Sequence, residues 1–179
     1  MTLLPQLKLF AEYNRAMNRR LYENAAALSA AEIAADRGAF FKSILGTLNH
    51  LVVADVVWLK RFAMHPAAYT ALAPMHDVEQ PTALSQIVHG DLAELDARRR
   101  ALDDMIVDWI GAVREGDLDQ VLAYRTMRGE AQRKAFGLLL AHFFNHQTHH
   151  RGQATTLFSQ AGVDVGVTDL MVWIPDAAD

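Results

Sequence analysis

The sequence predicts an all-α protein: an antiparallel four-helix bundle with a long 2–3 connection and a short β-hairpin before the fourth helix. Four long segments carry apolar residues at three- and four-residue spacing, which is the period of a helix with one buried face. A short β-like segment with a turn separates the third from the fourth. The length of 179 residues fits one domain, expected over residues 1–179.

The first two helices are predicted over residues 3–28 and 40–64. The first has one apolar face, and Ser29 to Glu32 then forms a capping-box pattern for a short helical turn. The second helix is apolar on two nearly opposite faces, so we expect other elements to cover it on both sides. Its second face contains Gly46, His50, Val53 and Val57.

A long connection is predicted over residues 65–82, which contain three of the five prolines. Connections of this length often cover a functional opening. The third helix is predicted from Thr82, as its N-cap, to Val113, with a buried face that includes Leu84, Ile87 and Val88.

A β-hairpin is predicted around Arg128-Gly129, preceded by a strand over residues 121–126. The fourth helix is predicted from Arg133 to Gln160. It ends at Gly162, because glycine readily adopts the left-handed conformation that often terminates a helix.

Composition excludes several classes of function. There are 17 basic and 21 acidic residues, so the net charge of −4 argues against broad nucleic-acid or anionic-membrane surfaces. The absence of cysteine excludes disulfides, thiolate metal sites, iron–sulfur clusters and a cysteine nucleophile. The sequence contains no signal-peptide pattern and no apolar run of about 18–20 residues, so we expect a cytoplasmic protein.

Four of the eight histidines lie within nine residues of the fourth helix. His142, His146 and His150 are one turn apart on the apolar face, and imidazoles at this spacing can bind one divalent ion. His142 and His150 are about 12 Å apart along the helix, too far to share an ion. One adjacent pair must therefore supply two of the ligands. Spacing alone does not decide between His142 with His146 and His146 with His150. His50 is the expected third ligand.

Three histidines with an open position are typical of a catalytic or substrate-binding metal. A zincin is excluded because Phe143 and Gln147 occupy the positions where HExxH requires glutamate. A di-iron bundle is excluded because the fourth helix contains no glutamate. A haem bundle, or histidines that only pack and hydrogen-bond, remain alternatives.

Several other polar residues carry weaker expectations. Asp55 lies on an apolar face and is expected to meet an arginine or to orient a histidine. Arg98-Arg99-Arg100 is interpreted as a solvated face, and Arg151 as an interface or loop contact. Among the remaining histidines, His149 is expected either to support the site or simply to pack as a polar side chain, and surface roles are expected for His65, His76 and His89. We expect His149, or a loop residue such as His76, to accept or donate protons in the reaction.

The sequence also resembles a known family. Leu48-Asn49-His50 with Ala54-Asp55 and Trp58, the segment NHQTHHRGQ at residues 145–153, and the tail over residues 162–175 are similar to the DinB/YfiT superfamily of proposed metalloenzymes. This resemblance implies a four-helix bundle with a divalent metal, Zn, Ni or similar. By position, it implies the metal ligands His50, His146 and His150.

The resemblance implies a metal-dependent enzyme acting on a small molecule, of the thiol S-transferase or hydrolase type. Characterised relatives use low-molecular-weight thiols such as mycothiol or bacillithiol. The alternative is a non-catalytic metal-binding module of the stress or DNA-damage response. A homodimer is expected, paired through a surface that includes Phe144 and Thr148.

Overall fold

The computed structural model describes residues 3–176, so residues 1–2 and 177–179 of the expected domain lie outside it. The described chain is mostly helical, which confirms the predicted class. The helices are α1 (Leu3–Ala25), α2 (Ala30–Ala34), α3 (Ile44–Phe62), α4 (Leu92–Ala112), α5 (Glu115–Leu118) and α6 (Phe136–Gln160). The strands are β1 (Val121–Arg125) and β2 (Ala131–Ala135), and 3₁₀ helices span Thr70–His76 and Leu170–Trp173.

The four long helices, α1, α3, α4 and α6, surround one hydrophobic core. Helix α1 packs against α4 and α6, and α3 packs against the same two helices. Nearly every residue of α3 is buried, as its two apolar faces predict. None of the helices within residues 3–176 is long and apolar enough to cross a bilayer.

The predicted hairpin is present as an antiparallel pair in which Val121 faces Ala135. Gly129 adopts a φ of +83° in the turn, a conformation that glycine tolerates without steric cost. The predicted start of the last helix at Arg133 is wrong by three residues. Arg133 pairs with Ala123 in the sheet, and α6 begins only at Phe136.

The predicted start of the third long helix at Thr82 is wrong. Helix α4 begins ten residues later, at Leu92, where the Asp91 carboxylate accepts hydrogen bonds from the backbone N–H groups of Ala93 and Glu94. The apolar residues at helical spacing misled the prediction, because Leu84 and Ile87 are 47% and 53% exposed. Residues 81–91 are a loop that lies on α3.

The interpretation of Arg98-Arg99-Arg100 as a solvated face is wrong for Arg99. Its side chain is 1% exposed and lies 2.5 Å from Asp55 of α3 and 3.0 Å from Asp103 of its own helix. Arg100 is exposed, and its one ion pair among residues 3–176 is with Asp96, one turn away. The expectation that Asp55 meets an arginine is therefore confirmed.

The buried ion pairs of Arg99 extend into a polar network that reaches all four long helices. Asp103 accepts a hydrogen bond from Asn18 of α1 at 2.9 Å, and Asp55 accepts one from Gln147 of α6. Burial raises the pKa of Asp103 to about 6 and also raises the pKa of Asp55, because both carboxylates have lost their water.

Two further expectations for the last helix are corrected. Arg151 is not an interface or loop contact, because its guanidinium is buried and donates a hydrogen bond to Asn14 of α1. Phe144 is not available to pair with a second copy, because it is 3% exposed and packs against Phe10.

Gly46, in the first turn of α3, allows the chain to approach itself closely. A Cβ atom at this position would lie 2.0 Å from the carbonyl oxygen of Phe41, which is closer than any non-bonded contact allows. Because the obstacle is backbone, relief requires movement of the segment that precedes α3. At Gly152 of α6, by contrast, an added Cβ would meet no atom within 4 Å beyond its chain neighbours and the backbone of its own helix.

We predict opposite effects for alanine at these two helical glycines. Gly46→Ala should destabilise the protein through the clash with Phe41, by about 1–3 kcal/mol. Gly152→Ala should stabilise it by about 0.5–1 kcal/mol, the difference in helix propensity. Urea unfolding followed by circular dichroism measures both. Equal midpoints for the two variants would contradict the close approach at Gly46.

We predict that adjacent arginines of α4 differ sharply in their contribution to stability. Arg99→Met should cost about 3–5 kcal/mol, because it leaves two buried carboxylates without a cation. Arg100→Met removes an exposed i, i+4 pair and should cost no more than about 0.5 kcal/mol. Chemical denaturation of the two variants side by side tests this, and a comparable loss in both would refute the role of the buried network.

Candidate metal centre

Three histidines from two helices converge inside the protein. His50 of α3, with His146 and His150 of α6, each offer one ring nitrogen, and these three nitrogens lie within 4.8 Å of one another. The ring centroids of His146 and His150 are 4.3 Å apart, as expected for residues one turn apart. The centroid of His50 is 5.3 Å from that of His146 and 4.3 Å from that of His150.

The imidazole of His50 is held in a single orientation. Its Nδ1 lies 2.9 Å from the carbonyl oxygen of Leu84. Because a carbonyl only accepts, Nδ1 carries the proton and Nε2 presents its lone pair. Nε2 is buried and has no hydrogen-bond partner among the described residues. The ring also stacks on Phe41, with centroids 3.8 Å apart and planes 15° from parallel.

Hydrogen bonding and burial also prepare the two histidines of α6. His150 Nδ1 lies 2.7 Å from Gln153 Oε1 and donates a hydrogen bond to it. The lone pair of Nε2 is therefore available to bind a metal. Burial lowers the pKa of His50 to about 4. Burial and the neighbouring imidazoles lower the pKa of His146 to about 3. Burial also lowers the pKa of His150. The lowered pKa values favour neutral rings at pH 7, the form that binds a metal.

The donor set fits a divalent ion. Imidazole nitrogens bind Zn²⁺ at about 2.0–2.1 Å, so tetrahedral ligands are about 3.4 Å apart. The three nitrogens lie within 4.8 Å of one another, so they converge on one point at a wider spacing than a bound ion would require. The unpartnered Nε2 of His50 is costly to bury unless a ligand occupies it.

Next to this cluster lies a cavity of about 410 Å³. His146 lines it, and so does His142, whose ring centroid is 6.0 Å from that of His146. Trp58 meets His142 edge-on at 5.1 Å and forms an apolar wall with Met127. The loop over residues 81–91 and the hairpin contribute to the same cavity, so they cover the opening beside the histidines.

The remaining histidines occupy different environments. His65 is not a surface residue, as the sequence analysis expected, because it is 2% exposed and packs against Tyr69 and Phe136. His76 is exposed, and His89 is half-buried, 3.3 Å from Glu94. His149 is exposed beside Gln153, which also contacts His150.

Sequence reasoning missed the groups that orient His50. Asn49 accepts hydrogen bonds from the backbone N–H groups of Val88 and His89 and donates one to the carbonyl of His89. These three hydrogen bonds hold the loop against α3. The same loop supplies the Leu84 carbonyl that accepts a hydrogen bond from His50. The available signal was an asparagine directly before the candidate ligand. It pointed to no partner because the loop was predicted to be a helix.

Comparison with known proteins identifies the family of this chain. The chain is 23% identical over 163 residues to Protein DinB of Bacillus subtilis (strain 168), a match that covers 91% of this chain and 90% of the relative. No solved structure matches the chain. The sequence model described as the DinB family matches residues 3–176, nearly the whole length. The chain therefore belongs to the DinB family.

Proposed function

We propose that the protein is a metal-dependent enzyme of the hydrolase or thiol S-transferase type, in which a four-helix bundle holds a divalent ion through His50, His146 and His150. The observation that supports this most directly is the convergence of three neutral imidazoles from α3 and α6. Zn²⁺, Ni²⁺ or a similar ion suits an all-nitrogen donor set.

A divalent ion held by these three histidines would keep an open position and, when bound, would supply a nucleophile by lowering the pKa of a water or thiol there. The chain's own groups prepare this site. The Leu84 carbonyl fixes the tautomer of His50, and Gln153 fixes that of His150. Trp58 and Met127 give the adjoining cavity an apolar lining. His142, whose pKa is lowered by burial, lies at the wall of the same cavity and could accept a proton.

The proposed substrates follow from composition and from the cavity. The chain has no cysteine, so a thiol that takes part in the reaction must arrive as a co-substrate. The cavity of about 410 Å³ matches a small molecule rather than a polymer. A homodimer remains part of the proposal, with a surface other than Phe144.

We predict that metal content depends on the converging histidines and not on their neighbours. Purified wild type should carry about one divalent ion per chain. His50→Ala and His146→Ala should lower the metal affinity by at least about tenfold. His142→Ala and His149→Ala, the matched controls on α6, should retain the ion. Elemental analysis by mass spectrometry, with circular dichroism to verify folding, measures this.

An unchanged metal content in both ligand variants would refute the site. Loss of the ion from His142→Ala together with retention in His50→Ala would instead assign the metal to the other adjacent pair of α6.

We predict that the metal-loaded protein turns over a small electrophile or ester in the presence of water or an added thiol. A panel of low-molecular-weight thiols and electrophiles, followed by mass spectrometry of the products, tests this. Activity should disappear in His146→Ala and return in wild type when metal is restored after chelation. Metal binding without turnover across the panel would favour a non-catalytic metal-binding module of the stress or DNA-damage response.

A further inference from the structure

Arg61, at the end of α3, carries a charge that no acidic side chain neutralises within residues 3–176. Its guanidinium carbon lies 4.6 Å from the ring centroid of Trp58 and 5.0 Å from that of Tyr124. None of the ion pairs among the described residues involves it. Burial lowers the pKa of Arg61, which means that its charged form has lost water without gaining a carboxylate.

Arg61 lines two neighbouring cavities. The first is the cavity of about 410 Å³ that reaches His146. The second, of about 1060 Å³, follows the hairpin and the start of the loop over residues 81–91. A ligand in contact with Arg61 can therefore extend toward the histidines on one side and toward solvent on the other.

The second cavity is strongly basic, in a protein with a net charge of −4. Lys60, Arg61, Arg125 and Arg133 line it, and no aspartate or glutamate is among its lining residues. Two of these cations already have partners. Lys60 donates to the carbonyls of Met75 and Val78, and Arg125 donates to the carbonyl of Gly129.

One acidic side chain, that of Glu130, lines the first cavity. Arg128 lines the same cavity. The Oε2 of Glu130 lies 3.4 Å from the hydroxyl of Thr126, in the turn of the hairpin, and Glu130 forms none of the ion pairs among the described residues. The two cavities together therefore hold an excess of positive charge centred on Arg61.

We propose that Arg61 binds the anionic group of the substrate, a carboxylate or a phosphate. The proposal rests on the function proposed above, since it assigns the reacting end of the same molecule to the three histidines. The aromatic rings of Trp58 and Tyr124 hold the guanidinium in place. Its N–H groups, which lie in one plane, can donate two parallel hydrogen bonds to an oxyanion. The apolar body of the ligand then lies on Trp58 and Met127.

The experiment uses metal-free protein, so that an anion cannot bind through the ion. Ligand-observed NMR titrations measure the Kd of 3-phenylpropionate, of 2-phenylethyl phosphate and of the neutral analogue 3-phenylpropanamide. The variants are Arg61→Gln, Arg61→Lys and, as the matched control, Arg19→Gln, an exposed arginine of α1. Circular dichroism verifies that each variant is folded.

We expect wild type to bind at least one of the two anions about tenfold more tightly than the amide, the usual effect of a charge-assisted bidentate contact. Arg61→Gln should remove this preference and leave amide binding unchanged, whereas Arg19→Gln should behave as wild type. Arg61→Lys should restore part of the preference, because lysine keeps the charge but not the planar pair of donors. The anion that shows the preference identifies the substrate as a carboxylate or a phosphate ester.

Equal affinities of wild type for the amide and both anions would overturn the proposal, and so would an anion preference that survives in folded Arg61→Gln. If Arg61→Gln does not fold, Arg61→Lys carries the test, and an undiminished anion preference in that variant would also overturn the proposal. A failure of the metal site would appear separately, as an absence of ions in the loaded protein, and would not alter these metal-free titrations.

Discussion

The buried charge of Arg99 is the constraint on which the arrangement of the long helices depends. A guanidinium in a hydrophobic core is tolerated only when carboxylates and hydrogen bonds surround it, and here they come from different helices. The ion pair between Asp55 and Arg99 links α3 to α4. Asp103 of α4 also pairs with Arg99, and it accepts a hydrogen bond from Asn18 of α1, which links α4 to α1. If any one helix slid or rotated, a buried charged group would lose its partner. The network therefore favours one relative position of the helices among the many that apolar packing alone would allow.

That relative position also determines where the histidines lie. Gln147 donates to Asp55, and its direct neighbour in the sequence is His146. Asp55 follows His50 on α3 by five residues, so the same carboxylate relates the two helices that supply the converging rings. The imidazoles themselves are kept neutral by burial, and Phe41 and Leu84 fix the plane and the tautomer of His50. A polar network deep in the core thus positions a nitrogen cluster nearer the surface.

Periodicity and turn chemistry were sufficient to predict the helical class, the hairpin and some of the helix ends, such as the start of α1 at Leu3 and the end of α6 at Gln160. They failed over residues 82–91, because Leu84, Ile87 and Val88 have helical spacing while the actual N-cap is Asp91. They also failed for Arg99, since spacing cannot distinguish an arginine that meets carboxylates of another helix from one in water. Spacing and family resemblance did lead to the histidines that converge. The groups that orient His50 were not predicted, because Asn49 by itself indicates no partner and a backbone carbonyl from a distant loop leaves no signature in the sequence.

The loop over residues 81–91 meets α3 in an unusual way. On the loop side, the hydrogen bonds to Asn49 and His50 are made by main-chain groups of Leu84, Val88 and His89. Main-chain groups are the same whatever side chains the loop carries. The side chains of Leu84 and Ile87 are largely exposed to solvent. Mutation of this loop can therefore reshape the cavity wall over evolutionary time while the orientation of His50 is inherited unchanged.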